Sequence, residues 1–252
     1  MSLKYKKGDN MGSLISLGLT FVVGTFILIG SLIIIFTKSN QKIISFSLAL
    51  AFIVMIGLVF FELIFEAIEH LNNIFYVLIF VLIGIFILKI LDHFIPYHEN
   101  TKEKENLYHI GIVSSIALII HNIIEGMAIY GVALTNIQTG ILMALGVGLH
   151  NIPMGMVITG TIYNKNRKKI FLLLTLLMLS TLIGGLFMAF LSYYINEFVL
   201  GILLAITLGM LLYISIFELL PKVVNNIKNK TTILGMIMGI IVIIFTLLFH
   251  HH

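Results

Sequence analysis

Two short stretches hold the residues most able to do chemistry: HNIIEG at 121–126 and HNIPMG at 150–155. Each lies inside a long apolar run. His121 and Glu125 are four residues apart, so on a helix they share a face, with Asn122 beside them. His150 and Met154 repeat that spacing, with Asn151 beside them. Together these residues offer two imidazoles, a carboxylate, two amides and a thioether. Imidazole nitrogen with carboxylate oxygen suits a divalent zinc, iron, manganese or cadmium ion. A coordinating Met154 would favour softer ions, although a methionine in an apolar helix ordinarily packs. An ionised glutamate deep in a bilayer costs roughly 2.5–3.5 kcal/mol on insertion scales, and a bound cation offsets that cost. Singly, each residue has a plainer reading: a packed histidine, an asparagine joining helices, a protonated glutamate. Their repetition favours a site.

The histidines are 29 residues apart, and the midpoint between them falls at 135–136, inside the polar stretch TNIQTG. A helical hairpin folded there brings His121 and His150 to the same depth, because both helices rise equally per residue. Pro153 lacks an N–H and crowds the carbonyl of Leu149, so a kink is expected beside the site. Gly126, Gly146, Gly148 and Gly155 allow close helix packing around it.

The elements that position these residues follow from composition. Of 252 residues, 60% are hydrophobic and only 10% charged, and the mean hydropathy is +1.13. Apolar runs of about 20 residues match the length of a bilayer-crossing helix. The short alternating segments of a membrane β-barrel are lacking. The predicted fold is therefore an all-α integral membrane protein of eight transmembrane helices, near 11–36, 43–67, 74–92, 108–132, 138–162, 169–194, 198–219 and 231–249. They form one transmembrane domain, residues 1–252, with a cytoplasmic loop at 93–107. The first run is too long for a signal-peptide core and reads as a span. There is no cysteine, which excludes disulfides and thiolate metal sites. The net charge of +4 follows loop placement and carries no nucleic-acid signal. Twelve of the 15 basic residues fall at or after the ends of spans 1, 3, 5 and 7, while Lys4, Lys6 and Lys7 precede span 1. The positive-inside rule then puts both termini outside and those loops in the cytoplasm of a prokaryotic plasma membrane.

FFELIFEA at 60–67 in span 2 is echoed by IFELLPKV at 216–223 in span 7. The two spans run in opposite directions, which hints at an inverted-topology repeat. Glu62 and Glu66 share a face near the outer end of span 2, where they either attract a cation or simply face water. His93, His98 and His109, in or beside the cytoplasmic loop, read as solvated or as loose metal holders.

At HNIIEG, HNIP.G and YISIFELLP (213–221) the chain resembles the ZIP (Zrt/Irt-like) family of divalent metal transporters, in its bacterial zinc-uptake branch. The resemblance implies a three-plus-two-plus-three helix order, with spans 1–3 and 6–8 related by inversion, and a metal site between spans 4 and 5. His121, Glu125 and His150 match the family's ligand positions. Asn122 and Asn151 match positions that hold a second metal in binuclear members, and Glu218 matches a residue near the cytoplasmic exit. A homodimer is also implied. Two departures stand out. Met154 replaces a glutamate that can bridge two metals, and STLIGGL at 180–186 has Thr181 and Leu182 where many members carry Glu-Pro. One metal site is therefore expected, not two. The implied route passes Glu62 and Glu66, then His121, Glu125 and His150, then Glu218 with Asp92 or His93, with zinc as the first candidate substrate. The rival readings are an intramembrane metalloenzyme, against which no HExxH helix is present, and a metal-binding member that does not transport.

Overall fold

The computed structural model describes residues 10–37, 41–94, 103–162, 167–191 and 196–250. Lys4, Lys6, Lys7, Lys38, Lys102, Lys165 and His98 lie outside the described residues. Among the described residues every regular element is helical, and eight helices are long and apolar enough to cross a membrane. Span 1 is Asn10–Phe36, span 3 Ile74–Phe94, span 4 Glu103–Thr135, span 5 Ile137–Ile162, span 6 Arg167–Leu191 and span 8 Lys230–His250. Span 2 runs Gln41–Leu58, through a π-helical turn at Val59–Leu63, to Ile64–Leu71. Span 7 is built alike: Glu197–Tyr213, a π turn at Ile214–Leu219, then Leu220–Asn225.

The two π turns fall on the echoed FE motifs. In each, an amide reaches back five residues, from Ile64 to Val59 O and from Leu220 to Ser215 O. Such bulges insert an extra residue and re-aim side chains, and they recur at functional sites. In span 7 the bulge also precedes Pro221, whose ring would otherwise crowd a helical carbonyl. Both spans continue past their predicted ends at 67 and 219. Glu62 and Glu218 consequently lie inside their helices and not at the rims.

The helices sort into two packed groups. Spans 1, 4, 5 and 6 contact one another; in the second group span 3 packs on span 7, span 8 on span 2, and spans 2 and 7 join the two pairs, while spans 2 and 8 also lie against span 5. Spans 2, 4, 5 and 7 are the inner helices, 61–67% buried over their apolar windows, against 17–39% for spans 1, 3, 6 and 8. The outer helices present large apolar side chains such as Phe75, Phe86, Phe171 and Phe190, as lipid contact requires.

Within each group, glycine brings backbones together. Gly30 of span 1 faces Ile152 O and Gly155 of span 5 faces Ile27 O. Gly184 of span 6 faces Ile123 O and Gly126 of span 4 faces Thr181 O. The second set repeats the first at constant offsets, 154 residues for spans 1 and 6 and 29 for spans 4 and 5. In the other group Gly84 faces Ile206 O and Gly239 faces Leu50 O, again matched, at offsets of 155 and 156. Any side chain at these positions would meet a backbone carbonyl, which cannot swing aside as a flexible side chain can. This is small-residue packing of the kind that holds membrane helices together where the hydrophobic effect offers little.

One substitution tests this packing. Gly184→Ala puts a Cβ into Ile123 O and is expected to cost about 1–3 kcal/mol, in line with overpacked cores. Gly18→Ala, with no atom within 4 Å, is expected to be neutral or slightly stabilising, since alanine favours helix. Thermal unfolding in detergent reads both.

Candidate metal centre

The span 4–span 5 hairpin turns on one residue, Asn136. Its side chain caps span 5, accepting from Gln138 N at 3.0 Å and Thr139 N at 3.2 Å. His121 and His150 are 15 and 14 residues from this turn, so equal helical rise sets them level, about 21 Å along the hairpin. The predicted midpoint of 135–136 is therefore the observed turn.

At that level three side chains converge. His121 Nε2 and His150 Nε2 each lie 2.8 Å from the same oxygen, Glu125 Oε1. The imidazole centroids are 6.0 Å apart with planes inclined by 38°. One ligand atom from each residue falls within 4.8 Å of the others, near enough for a single ion to touch all three. His121 is 3% exposed, His150 1% and Glu125 9%. Glu125 Oε2 and His121 Nδ1 have no hydrogen-bond partner among the described residues. Buried polar atoms without partners are costly, and a cation would use such donor capacity.

Asn122 and Asn151 are buried beside the histidines. Asn122 Nδ2 donates to Leu177 O at 3.3 Å, tying span 4 to span 6. Its Oδ1, and both amide atoms of Asn151, have no partner among the described residues. Met154, 2% exposed, belongs to the main hydrophobic core. Thr181 is fully buried, and its hydroxyl has no partner among the described residues. Pro153 is buried inside span 5, and the helix runs unbroken past it from Ile137 to Ile162.

A second cluster lies toward the end of the bundle where spans 3 and 7 finish and span 4 begins. Asp92 of span 3, His109 of span 4 and Glu218 of span 7 bring ligand atoms within 4.8 Å of one another. His109 Nε2 is 2.5 Å from Asp92 Oδ1 and 3.9 Å from Glu218 Oε1. Tyr213 donates from its hydroxyl to Asp92 Oδ2 at 2.7 Å. The cluster joins the two helix groups, since span 4 belongs to one and spans 3 and 7 to the other.

Of the two residues expected to join Glu218, Asp92 lies beside it and His93 does not. His93 is exposed and stacks edge-on with Phe94, centroids 6.1 Å apart. His109 does not belong to a solvated loop: it is inside span 4 and 4% exposed. Its place two residues within the predicted span was the available signal. Tyr213 had a weaker one, because its five-residue spacing to Glu218 shares a face only where the helix widens to π geometry. On span 2, Glu62 is 7% exposed, so the water-facing reading fails for it, while Glu66 is half-buried.

Comparison with known proteins identifies the family. Residues 97–247 match the family model described as ZIP Zinc transporter. A zinc transporter ZupT of Chlorobium chlorochromatii is 33% identical over 95% of this chain and 98% of its own length. That of Clostridium perfringens is 34% identical over 96% and 99%, and that of Streptococcus mutans 33% identical over 91% and 95%. With eight apolar spans and a family match across the site, the chain is a multi-pass plasma-membrane protein, a transporter and not an enzyme, and it belongs to the ZIP family of zinc transporters.

Proposed function

We propose that this chain carries a divalent transition metal, zinc foremost, into the cytoplasm through one mid-membrane site made of His121, Glu125 and His150. The observation that carries this reading is the convergence of both Nε2 atoms on Glu125 Oε1 deep inside apolar helices. Three protein ligands leave room in a tetrahedral shell for a water or a passing group, which suits an ion that must also leave. Relatives named as zinc transporters support zinc over its neighbours.

A single ion is favoured because Met154 packs in the core and Thr181 supplies no charge. A second dication next to the first would lack anionic compensation. Asn122 and Asn151 then orient or solvate the one ion.

Direction and mechanism follow from placement. The basic loops put the ends of spans 1, 3, 5 and 7 in the cytoplasm. Glu62 and Glu66 stand on the outer side and Glu218, Asp92 and His109 on the inner side. The echoed π turns and the matched glycine contacts support an inverted repeat of spans 1–3 and 6–8 around spans 4 and 5, giving the three-plus-two-plus-three order. Transport then consists of rigid displacement of one four-helix group against the other, exposing the fixed site to each side in turn. The inner cluster spans that moving boundary and receives the ion.

Four measurements test the reading. Purified protein binds one zinc per chain by elemental analysis, and His121→Ala or Glu125→Gln weakens binding by more than about 100-fold, beyond the 10–100-fold typical of outer-shell partners. Zinc uptake into proteoliposomes falls in parallel; uptake unchanged in both variants would sink the site. Glu218→Gln keeps the bound zinc but slows uptake, because it acts after binding. Met154→Glu restores a carboxylate beside the site and raises the stoichiometry toward two.

A further inference from the structure

Spans 2 and 8 pack closely along most of their length, with Gly235 against Phe46 O and Gly57 against Ile243. Where both helices begin, they form an open cavity of about 440 Å³ lined by Gln41, Lys42, Ser45, Asn229, Lys230 and Thr231. All six lining residues are polar, in a chain that is 60% hydrophobic. Two are lysines, contributed by different segments, and none is acidic. Neither Lys42 nor Lys230 is within salt-bridge distance of a carboxylate among the described residues. Two ammonium groups brought to one cavity repel unless an anion joins them.

The cavity's setting narrows the anion. It sits at the rim of the bundle, where apolar helix gives way to polar connection. Beside it, on the outer surface of span 8, Ile233, Leu234 and Ile237 are about half exposed, a surface against which acyl chains lie. The volume falls in the range of roughly 300–1,000 Å³ usual for small-molecule sites. Basic pockets between membrane helices at the cytoplasmic surface suit anionic lipid headgroups.

We infer that the cavity between the starts of spans 2 and 8 binds the phosphate of an anionic phospholipid headgroup, held by Lys42 and Lys230 with Ser45, Gln41, Asn229 and Thr231 around it. The inference rests on the cavity, its charges and the cytoplasmic orientation proposed above, and it does not depend on the metal site. A lipid seated there joins the first turns of two helices in one group. Free inorganic phosphate shares the same chemistry, and the experiment separates the two sources.

Full-length protein in detergent is titrated with phosphatidylglycerol, with phosphatidylcholine and with inorganic phosphate, and native mass spectrometry counts what is retained. Phosphatidylglycerol is expected to stay bound while phosphatidylcholine is lost. The double variant Lys42→Gln/Lys230→Gln is expected to hold phosphatidylglycerol about tenfold or more weakly, and Lys42→Arg/Lys230→Arg to keep it. Both lysines are exposed, so these variants leave the packed helices untouched. Equal phosphatidylglycerol retention by the Gln variant and the unmodified protein overturns the proposal. So does failure of the unmodified protein to prefer the anionic lipid, or inorganic phosphate displacing it at equal concentration.

Discussion

A carboxylate inside apolar helices needs a positive partner, and most of this structure can be read as the answer to that requirement at Glu125. Its Oε1 is held between two imidazole nitrogens, each 2.8 Å away. Imidazoles suit this place because they are neutral ligands to a metal and can be donors without one. On the proposed reading the arrangement tolerates both the loaded and the empty site, as a carrier must. A lysine in place of either histidine would neutralise the glutamate permanently and exclude the cation.

Holding two histidines level demands a fixed hairpin and close helices. Asn136 fixes the hairpin by capping span 5. Glycine fixes the distance: Gly126 and Gly155, each four residues beyond an HN asparagine, lie against the carbonyls of Thr181 and Ile27. The site helices are thereby clamped, one to span 6 and the other to span 1. The glycines that close the two HN motifs thus also lock the helices bearing them, within a few residues of His121 and His150.

Much of this was legible in the chain itself. Apolar runs located the eight spans, because bilayer thickness sets a helix length that composition records. The 29-residue spacing placed His121 opposite His150, because helical rise is nearly constant. What escaped was whatever depends on irregular backbone or on which helices become neighbours. Spans 2 and 7 run on through π turns at Val59–Leu63 and Ile214–Leu219, which hold Glu62 and Glu218. No hydropathy pattern encodes such a turn. His109 looked like a loop residue because its partners, Asp92 and Glu218, are 17 and 109 positions away in the chain, and only packing unites them. The grouping of spans 1, 4, 5 and 6 against 2, 3, 7 and 8 was likewise invisible until the glycine contacts were seen.

The central claim is that one ion sits against His121, Glu125 and His150 and that Met154 leaves no second acidic site. An anomalous-scattering map of zinc-loaded crystals tests it most directly. The account predicts a single strong peak between spans 4 and 5, within bonding distance of both Nε2 atoms and a Glu125 oxygen. Two peaks bridged near Met154, or no peak at the two histidines, would contradict it.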